Sequence, residues 1–365
     1  GMARLDRSQL LTAIQPLLVR MKFDASSKTT HSGGNGGDAG DLVPVASFFY
    51  VHNFNNKLKF GIAVGSYFGL GLDYGNNWTG RYYVQDVDLL TFGINPVLSY
   101  RINDWFSICG GFSIVMSNLL QRVGMNNLLP FLSDGQLKVE DDDVGYGGNL
   151  GILVEPRQGT RFGLTYRSEV KLDFKDVASL RGTGPLLNAA LKRSGLAGSR
   201  ADMEMTIPQA VMLSGYHDLT DRLAIMGNVG WQENSDFGKT SVSISSITSR
   251  RFTADRNFDD SWHFAIGFQY RIGDPWLYSL GFAYDTSVVD REDRTPDAPF
   301  DRQVRYGTGM QYDWNEDVTL GFAYEYIDAG DAAINQYQGP LAGKLVGDYK
   351  TNEIHVFALN LIWKF

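Results

Sequence analysis

Along most of this chain apolar residues alternate with small or polar ones, the two-residue period of a strand whose faces meet different surroundings. Trp276, Tyr278, Leu280, Phe282 and Tyr284 share one face of such a segment, and Leu277, Ser279, Gly281, Ala283 and Asp285 share the other. The pattern recurs at Val318 to Tyr326, Phe162 to Tyr166 and Phe106 to Met116. The last segment sets Phe357, Leu359, Leu361, Trp363 and Phe365 against Ala358, Asn360 and Lys364. Such a chain builds sheets, and helices should be scarce. Its 22 Phe, 18 Tyr, 7 Trp and 41 Gly agree with tight β-packing and many turns. With no run of 18 apolar residues, a transmembrane helix is excluded.

Fourteen segments show the period, near 9–28, 42–56, 58–74, 88–103, 105–121, 138–156, 159–176, 200–217, 221–237, 254–272, 275–289, 300–313, 316–329 and 349–365. Their connections alternate in length. Asn53 to Lys57, Asn103-Asp104, Pro156 to Gly159, His217 to Asp221, Gly273 to Pro275 and Asp313 to Asp317 are short, whereas 29–41, 75–87, 122–137, 177–199, 238–253, 290–299 and 330–348 are long. An even strand number with turns at one end and loops at the other is the plan of an all-β, fourteen-stranded antiparallel transmembrane barrel of the bacterial outer membrane, one domain over 1–365. A soluble sandwich or propeller would also alternate. Two features favour the membrane. The non-apolar faces hold Gly, Ala and Ser as well as charge, which suits a lumen better than a solvated surface. Tyr100, Trp105, Tyr270, Trp276, Tyr312, Trp314 and Trp363 flank the short turns, and Trp231 and Trp262 lie near the long loops, as interfacial girdles do.

Composition narrows the function further. With 33 Lys plus Arg against 41 Asp plus Glu, the net charge of −8 argues against a nucleic-acid partner, which needs a basic face. The single cysteine, Cys109, excludes an internal disulfide and a Cys-rich zinc site, and reads as a small packed residue. No nucleophile elbow, His-Glu-x-x-His, Walker loop or dinucleotide fingerprint occurs, so no catalytic residue, metal or cofactor is expected. A remote enzyme reading, an outer-membrane lipase, would draw on His263 or His355 near the outer strand ends.

Specific residues then match a family. Thr165-Tyr166-Arg167-Ser168-Glu169-Val170-Lys171-Leu172-Asp173-Phe174-Lys175 resembles the signature strand of the FadL-type outer-membrane long-chain fatty acid transporters. Gly69-Leu70, Ser214-Gly215-Tyr216, Trp231 with Ser235 to Phe237, and Asp285 followed by Pro296 to Arg302 resemble further family motifs in the family's order. Gly1-Met2-Ala3-Arg4-Leu5 resembles the residues that follow the family's Asn-Pro-Ala motif, which implies that the N-terminal hatch ahead of it is missing upstream of Gly1. The resemblance implies a monomeric barrel that takes up long-chain fatty acids or other hydrophobic small molecules by diffusion, set among lipopolysaccharide and outer-membrane lipid. Channels for toluene-like aromatic hydrocarbons share the fold and the strand motifs, and so offer an alternative cargo.

A greasy cargo needs an apolar landing site outside the membrane. Leu128, Leu129, Phe131 and Leu132 follow Arg122 in one loop, and Leu186, Leu187, Ala190 and Leu191 follow Pro185 in another. Pro185 to Leu191, with Gly195 beyond it, reads as a short amphipathic helix. In the resembling family these two loops form a hydrophobic capture groove. There Arg122, at the top of the fifth strand, aligns with a lumen-side arginine, which implies contact with a carboxylate head group and tilts the cargo toward fatty acids. Arg161, Arg167, Glu169, Lys171 and Asp173 read as a mutually paired ladder on the lumen wall. Glu140-Asp141-Asp142-Asp143 reads as a solvated acidic rim, and Asn77-Trp78-Thr79 as a chance glycosylation pattern. In the third strand, alternation through Leu58, Phe60, Ile62 and Val64 breaks at Gly65-Ser66-Tyr67-Phe68-Gly69-Leu70-Gly71, where glycines make a bend cheap. The resemblance implies that Ser66, Gly69, Leu70 and Gly71 line a lateral exit at an inward kink.

Overall fold

The computed structural model describes residues 2–129, 131–175, 177–194, 200–245 and 250–365. Fourteen antiparallel strands hydrogen-bond in chain order around a closed ring. One half of the wall is β1 (Gln9–Ala25), β2 (Leu42–Asn53), β3 (Leu58–Asp73), β4 (Asp86–Arg101), β5 (Phe106–Met125), β6 (Gly135–Arg157) and β7 (Thr160–Arg167). The other half is β8 (Ala210–Asp218), β9 (Leu223–Gln232), β10 (Ser261–Gly273), β11 (Trp276–Asp285), β12 (Gln303–Asp313), β13 (Val318–Asp328) and β14 (Lys344–Lys364). The seam joins β14 to β1, from Lys364 opposite Gln9 to Gly347 opposite Ala25. Short turns and both chain ends share one rim, and the long loops share the other.

Side-chain direction follows the pleat. Phe357, Leu359, Leu361, Trp363 and Phe365 point outward as expected, and Leu359 is 62% exposed. The register carries this face around the wall, since Leu359 pairs with Ile14 on β1 and Phe322 on β13, both also exposed. The alternate positions face a lumen lined by small residues such as Ala265, Gly267, Gly281, Gly307 and Ala323. Trp105, Trp276, Trp314 and Trp363 ring the short-turn end with exposed indoles, where amphipathic rings suit the membrane interface. Buried apolar side chains gather instead in three clusters toward the long-loop end, around Trp78, Phe174 and Phe258.

The wall differs from the expected one at strands seven to ten. The segment 159–176 leaves the wall after Arg167, and Val170–Phe174 pairs with Arg200–Ile207. That strand pairs in turn with Lys239–Ser245, itself paired with Arg250–Asp255, to give a separate four-stranded sheet. The expected strand 200–217 is divided at Pro208, which lacks the N–H a continuous ladder needs. The expected 221–237 ends at Gln232 and passes into a one-turn helix, Asn234–Phe237.

The inward sheet reaches the wall because β6 offers no side chain there. A Cβ on Gly145 would stand 2.4 Å from Val170 Cγ1 and 2.6 Å from the Lys171 carbonyl oxygen. Val170, Leu172 and Phe174 then pack on Leu89, Val115 and Leu119 of β4 and β5. The strand's free edge is met by carboxylates. The Asp173 N–H donates to Asp143 Oδ2 at 2.7 Å, and the Lys175 N–H to Asp141 Oδ2 at 2.6 Å. Two members of the acidic run are thus structural acceptors rather than a solvated rim.

The assignment of faces is testable by charge. Leu359→Arg should cost about 2–4 kcal/mol of folding stability in lipid, as a cation near the bilayer midplane does. Ala323→Arg, on the lumen side, should cost much less. Equal costs in urea titrations of the barrel in liposomes would contradict the facing.

Candidate functional site

The loop after β5 is shorter than expected. β5 and β6 pair out to Met125 and Gly135, so only residues 126–134 remain of the expected loop 122–137. Opposite them stands the helix α1 (Pro185–Arg193), with Pro185 in its first turn and Gly184 before it. Gly195, expected at its close, lies outside the described residues. Asn127 is 3% exposed and ties the two loops. Its Nδ2 donates to the Ser133 and Gly182 carbonyl oxygens at 2.6 and 2.9 Å, and its Oδ1 accepts the Gly184 N–H at 2.6 Å. A Cβ on Gly184 would lie 2.8 Å from Leu132 Cδ1, so the loops touch.

This junction presents apolar surface to the outside. Phe131 is 80% exposed, and Leu128 and Leu186 are exposed beside it. Leu129 and Leu191 are half-buried. Leu187, expected on the landing surface, is only 5% exposed and anchors α1 from beneath. The helix turns Leu186 outward in its place.

Arg122 lies within β5, and the pleat turns it away from the lumen. Val115, Ser117 and Leu119 are buried on the inner face, while Met116, Asn118, Leu120 and Arg122 share the outer parity. Its Nη1 donates to Asp86 Oδ1 at 3.0 Å, across the β4–β5 register in which the two residues are partners. Asp86 is nearly buried. The expected lumen-side position of Arg122 is therefore not the one observed.

The third strand is interrupted on one side only. β3 stays paired with β4, with Ser66 opposite Phe92 and Gly69 opposite Leu90, so a one-residue bulge sits between them. Its pairing with β2 stops at Val64 opposite Phe48. Among the described residues, Leu42 to Ser47 of β2 pair with β1 alone. The wall thus parts between β2 and β3 above that point. Pro44 lies in the unpartnered stretch, where a missing N–H costs nothing. Gly65, Gly69 and Gly71 have no positive φ. What they contribute is bareness, since a Cβ on Gly69 would meet only Leu90 Cδ2, at 3.9 Å. Ser66 and Gly69 are exposed beside the parting, and Leu70 turns inward onto the buried clusters.

Behind the parting lies a lumenal cavity of about 510 Å³. It runs from Ala63, just below the last β2–β3 pair, to Asn149 and Arg167 on β6 and β7 and to His263 and Asp285 on β10 and β11. Of the paired ladder expected on the lumen wall, Glu169 and Lys171 do pair, and a further charged network stands on β10 to β13. His263 Nδ1 and Asp285 Oδ1 are 2.7 Å apart, Arg305 Nε donates to Asp285 Oδ2 at 2.6 Å, and Arg305 Nη1 lies 3.7 Å from Glu325. Arg161 stacks on the Tyr216 ring, its guanidinium carbon 3.5 Å from the centroid, while Glu169 pairs with Lys171 and Asp173 with Lys175 beyond the wall.

Above the cavity, side chains of the outer loops pack together among the described residues. Trp78 is buried against Tyr74, and the Tyr74 hydroxyl meets that of Tyr349 and donates to the Pro296 carbonyl oxygen at 2.8 Å. Asp297 accepts from Arg256 Nη2 at 2.7 Å and Gln121 Nε2 at 3.3 Å. Burial opposes its ionisation, but the Arg256 guanidinium and the hydrogen bonds outweigh that and hold its carboxyl below the usual range. Carboxylates of Glu169, Glu233 and Asp236 lie within 4.8 Å of one another. Lys171 and Lys239 already neutralise two of them.

Comparison with known proteins is consistent across the chain. The family model described as outer membrane protein transport protein (OMPP1/FadL/TodX) matches residues 1–365. A long-chain fatty acid transport protein of Escherichia coli is 27% identical over 345 residues, covering 86% of this chain and 77% of that protein. The crystal structure of a Pseudomonas aeruginosa FadL homologue superposes with a TM-score of 0.89 at 21% identity, covering 100% of this chain and 92% of that one. The Pseudomonas putida toluene transporter TodX gives 0.69 at 15% identity, covering 99% and 90%.

Asn127 was not singled out in the sequence, and its three bonds make it the joint of the outer loops. Asn127→Ala strands buried partners and should cost about 1–3 kcal/mol locally. Amide exchange should quicken in 126–134 and 182–193 while the wall strands stay protected. Unchanged exchange there would deny Asn127 this role.

Proposed function

Because the chain belongs to the OMPP1/FadL/TodX family of outer-membrane transport proteins, we propose that it carries long-chain fatty acids or similar hydrophobic molecules inward, from the outer loops to a sideways exit between β2 and β3. The observation that carries this reading is the one-sided loss of the ladder, β2 unpaired with β3 from Leu42 to Ser47 beside the bulge at Ser66 to Gly69. Leu128, Phe131 and Leu186 offer the first apolar contact. The cavity that reaches Ala63 offers the way to the parting.

Sideways release also follows from solvation. An acyl chain leaving along the axis would enter water at about 0.8 kcal/mol per exposed CH₂, on the order of 10 kcal/mol for a long chain. Through the wall it passes from one apolar surround to another. Movement then follows concentration and needs no energy source. A closed wall needs no partner chain to pair its edges, so a monomer suffices, with lipid around its belt and lipopolysaccharide around its outer rim. Toluene is the cargo named for the Pseudomonas putida protein. The Arg, Asn, His and Asp side chains lining the cavity favour, for this chain, a cargo with one polar end.

Ser66→Arg tests the exit. Ser66 is exposed at the parting, so the longer cationic side chain should obstruct it and lower uptake of labelled palmitate several-fold, while the barrel still inserts and the outer loops still bind ligand. Unchanged uptake by a well-inserted variant would direct the cargo along the axis instead.

A further inference from the structure

Three outer loops meet at one histidine. His31, in the loop between β1 and β2, is set edge-on to the Tyr82 ring of the loop between β3 and β4, with centroids 4.7 Å apart. The Thr30 N–H donates at 2.8 Å to the carbonyl oxygen of Lys344, where the last loop enters β14, and Arg81 Nη1 donates at 2.8 Å to that of Ser32. The Thr79 hydroxyl donates to the carbonyl oxygen of His31 itself. His31 thus stands where these loops join, next to the cluster that buries Trp78, Val84, Ile334 and Leu345.

One edge of the ring has nothing to bond with. His31 Nε2 is enclosed and finds no hydrogen-bond partner among the described residues. It lies against bare backbone, since a Cβ on Gly343 would stand 2.9 Å away. Gly343 also has a φ of +67°, so glycine suits both the turn and the ring. The polar groups nearby are engaged elsewhere. Arg81 Nε and the Tyr82 hydroxyl both donate to Asp134, at 2.7 Å each, and the Tyr83 hydroxyl donates to the Gly343 carbonyl oxygen at 2.7 Å. Lys344 brings a second basic residue to the junction. A neutral imidazole suits this setting, because an unbonded ring nitrogen costs less than an unbonded cationic N–H. Burial, and after it the Arg81 charge, hold His31 below the ordinary histidine range, while a hydrogen bond to the Leu341 backbone and the Asp134 charge act the other way without cancelling them.

We propose that His31 is an acid-sensitive joint of the outer loops, which packs on Gly343 when neutral and, when protonated, sets an unanswered N–H and a further positive charge beside Arg81 and so releases 29–34 from 78–82 and 339–343. The released loop binds the proton more readily than the packed one. The junction's stability is therefore present in full above the free imidazole's value, near about pH 6.5, and declines as pH falls below it. The joint acts on access to the lumen and is independent of what the cargo is.

Amide exchange of the whole barrel in detergent, read at about pH 7.5 and about pH 5.5 on either side of the free imidazole's titration and corrected for the intrinsic chemical rate, tests it. Residues 29–34 and 339–343 should exchange several-fold faster at the lower pH, while the β1–β14 seam stays protected. His31→Gln, which takes up no proton in this range, should abolish the difference. The other four histidines, His52, His217, His263 and His355, lie in wall strands, so their titration would not single out these loops. Should His31→Gln leave the loops exchanging fast at both pH values, the ring resonance of His31 in the native barrel decides, identified by its absence from the variant, and it should titrate below the free imidazole. Equal exchange at both pH values in the native barrel, a pH dependence that persists in His31→Gln, or a His31 ring that titrates at or above the free imidazole's value would each overturn the joint.

Discussion

Hydrocarbon offers a peptide group nothing to bond with, so each N–H and C=O of a spanning segment must find its partner within the protein. For a chain patterned at period two, this leaves closure. The β1–β14 seam is where that requirement is met last, since it joins residues 355 positions apart, Gln9 and Lys364, into one continuous ladder. Once the ring is closed, the rest follows from the pleat. One face must be apolar and meets lipid, the other is released from that demand and carries glycine, alanine, amides and charge. An even number of strands then brings both chain ends to the short-turn rim and leaves every long loop outside.

The break between β2 and β3 stands out against that constraint. Six residues of β2 forgo one neighbour in a wall where unpaired backbone costs several kcal/mol per group. The chain reduces the cost locally. Pro44 removes one donor, and the bulge in β3 lets Leu70 and Leu72 turn inward to the buried clusters while Gly69 and Gly71 face out without side chains. Had the glycines only eased a turn, positive φ would be expected, and none shows it.

Much of the wall was legible because alternation is a local signal that repeats, and all fourteen expected segments overlap a wall strand, differing from it at their ends or where the chain folds inward. Direction was harder to read at the outer ends. Around Arg122 both faces of β5 mix polar and apolar residues, with Ser117 and Gln121 inside and Asn118 and Leu120 outside. There the composition no longer says which face is which, and a one-residue change in phase moves every side chain to the opposite face. The inward strand was illegible for another reason. Its alternation, Val170, Leu172 and Phe174 against Lys171 and Asp173, is that of a wall strand, and only the glycines of β6, a distant partner, show that it can cross the lumen.

That crossing strand sets the character of the barrier between the outer loops and the cavity. One of its edges is paired with Arg200–Ile207, and the other is held by Asp141 and Asp143, so its backbone polar groups are answered before any cargo arrives. What remains in the path is a contact of side chains, Val170, Leu172 and Phe174 against Leu89, Val115 and Leu119. An apolar molecule that wedges into this contact exchanges like surface for like and loses no hydrogen bond. An ion or a sugar would have to shed its water there, at several kcal/mol without compensation. Among the described residues this contact therefore sets a cost by solvation, low for an apolar surface and high for a hydrated one.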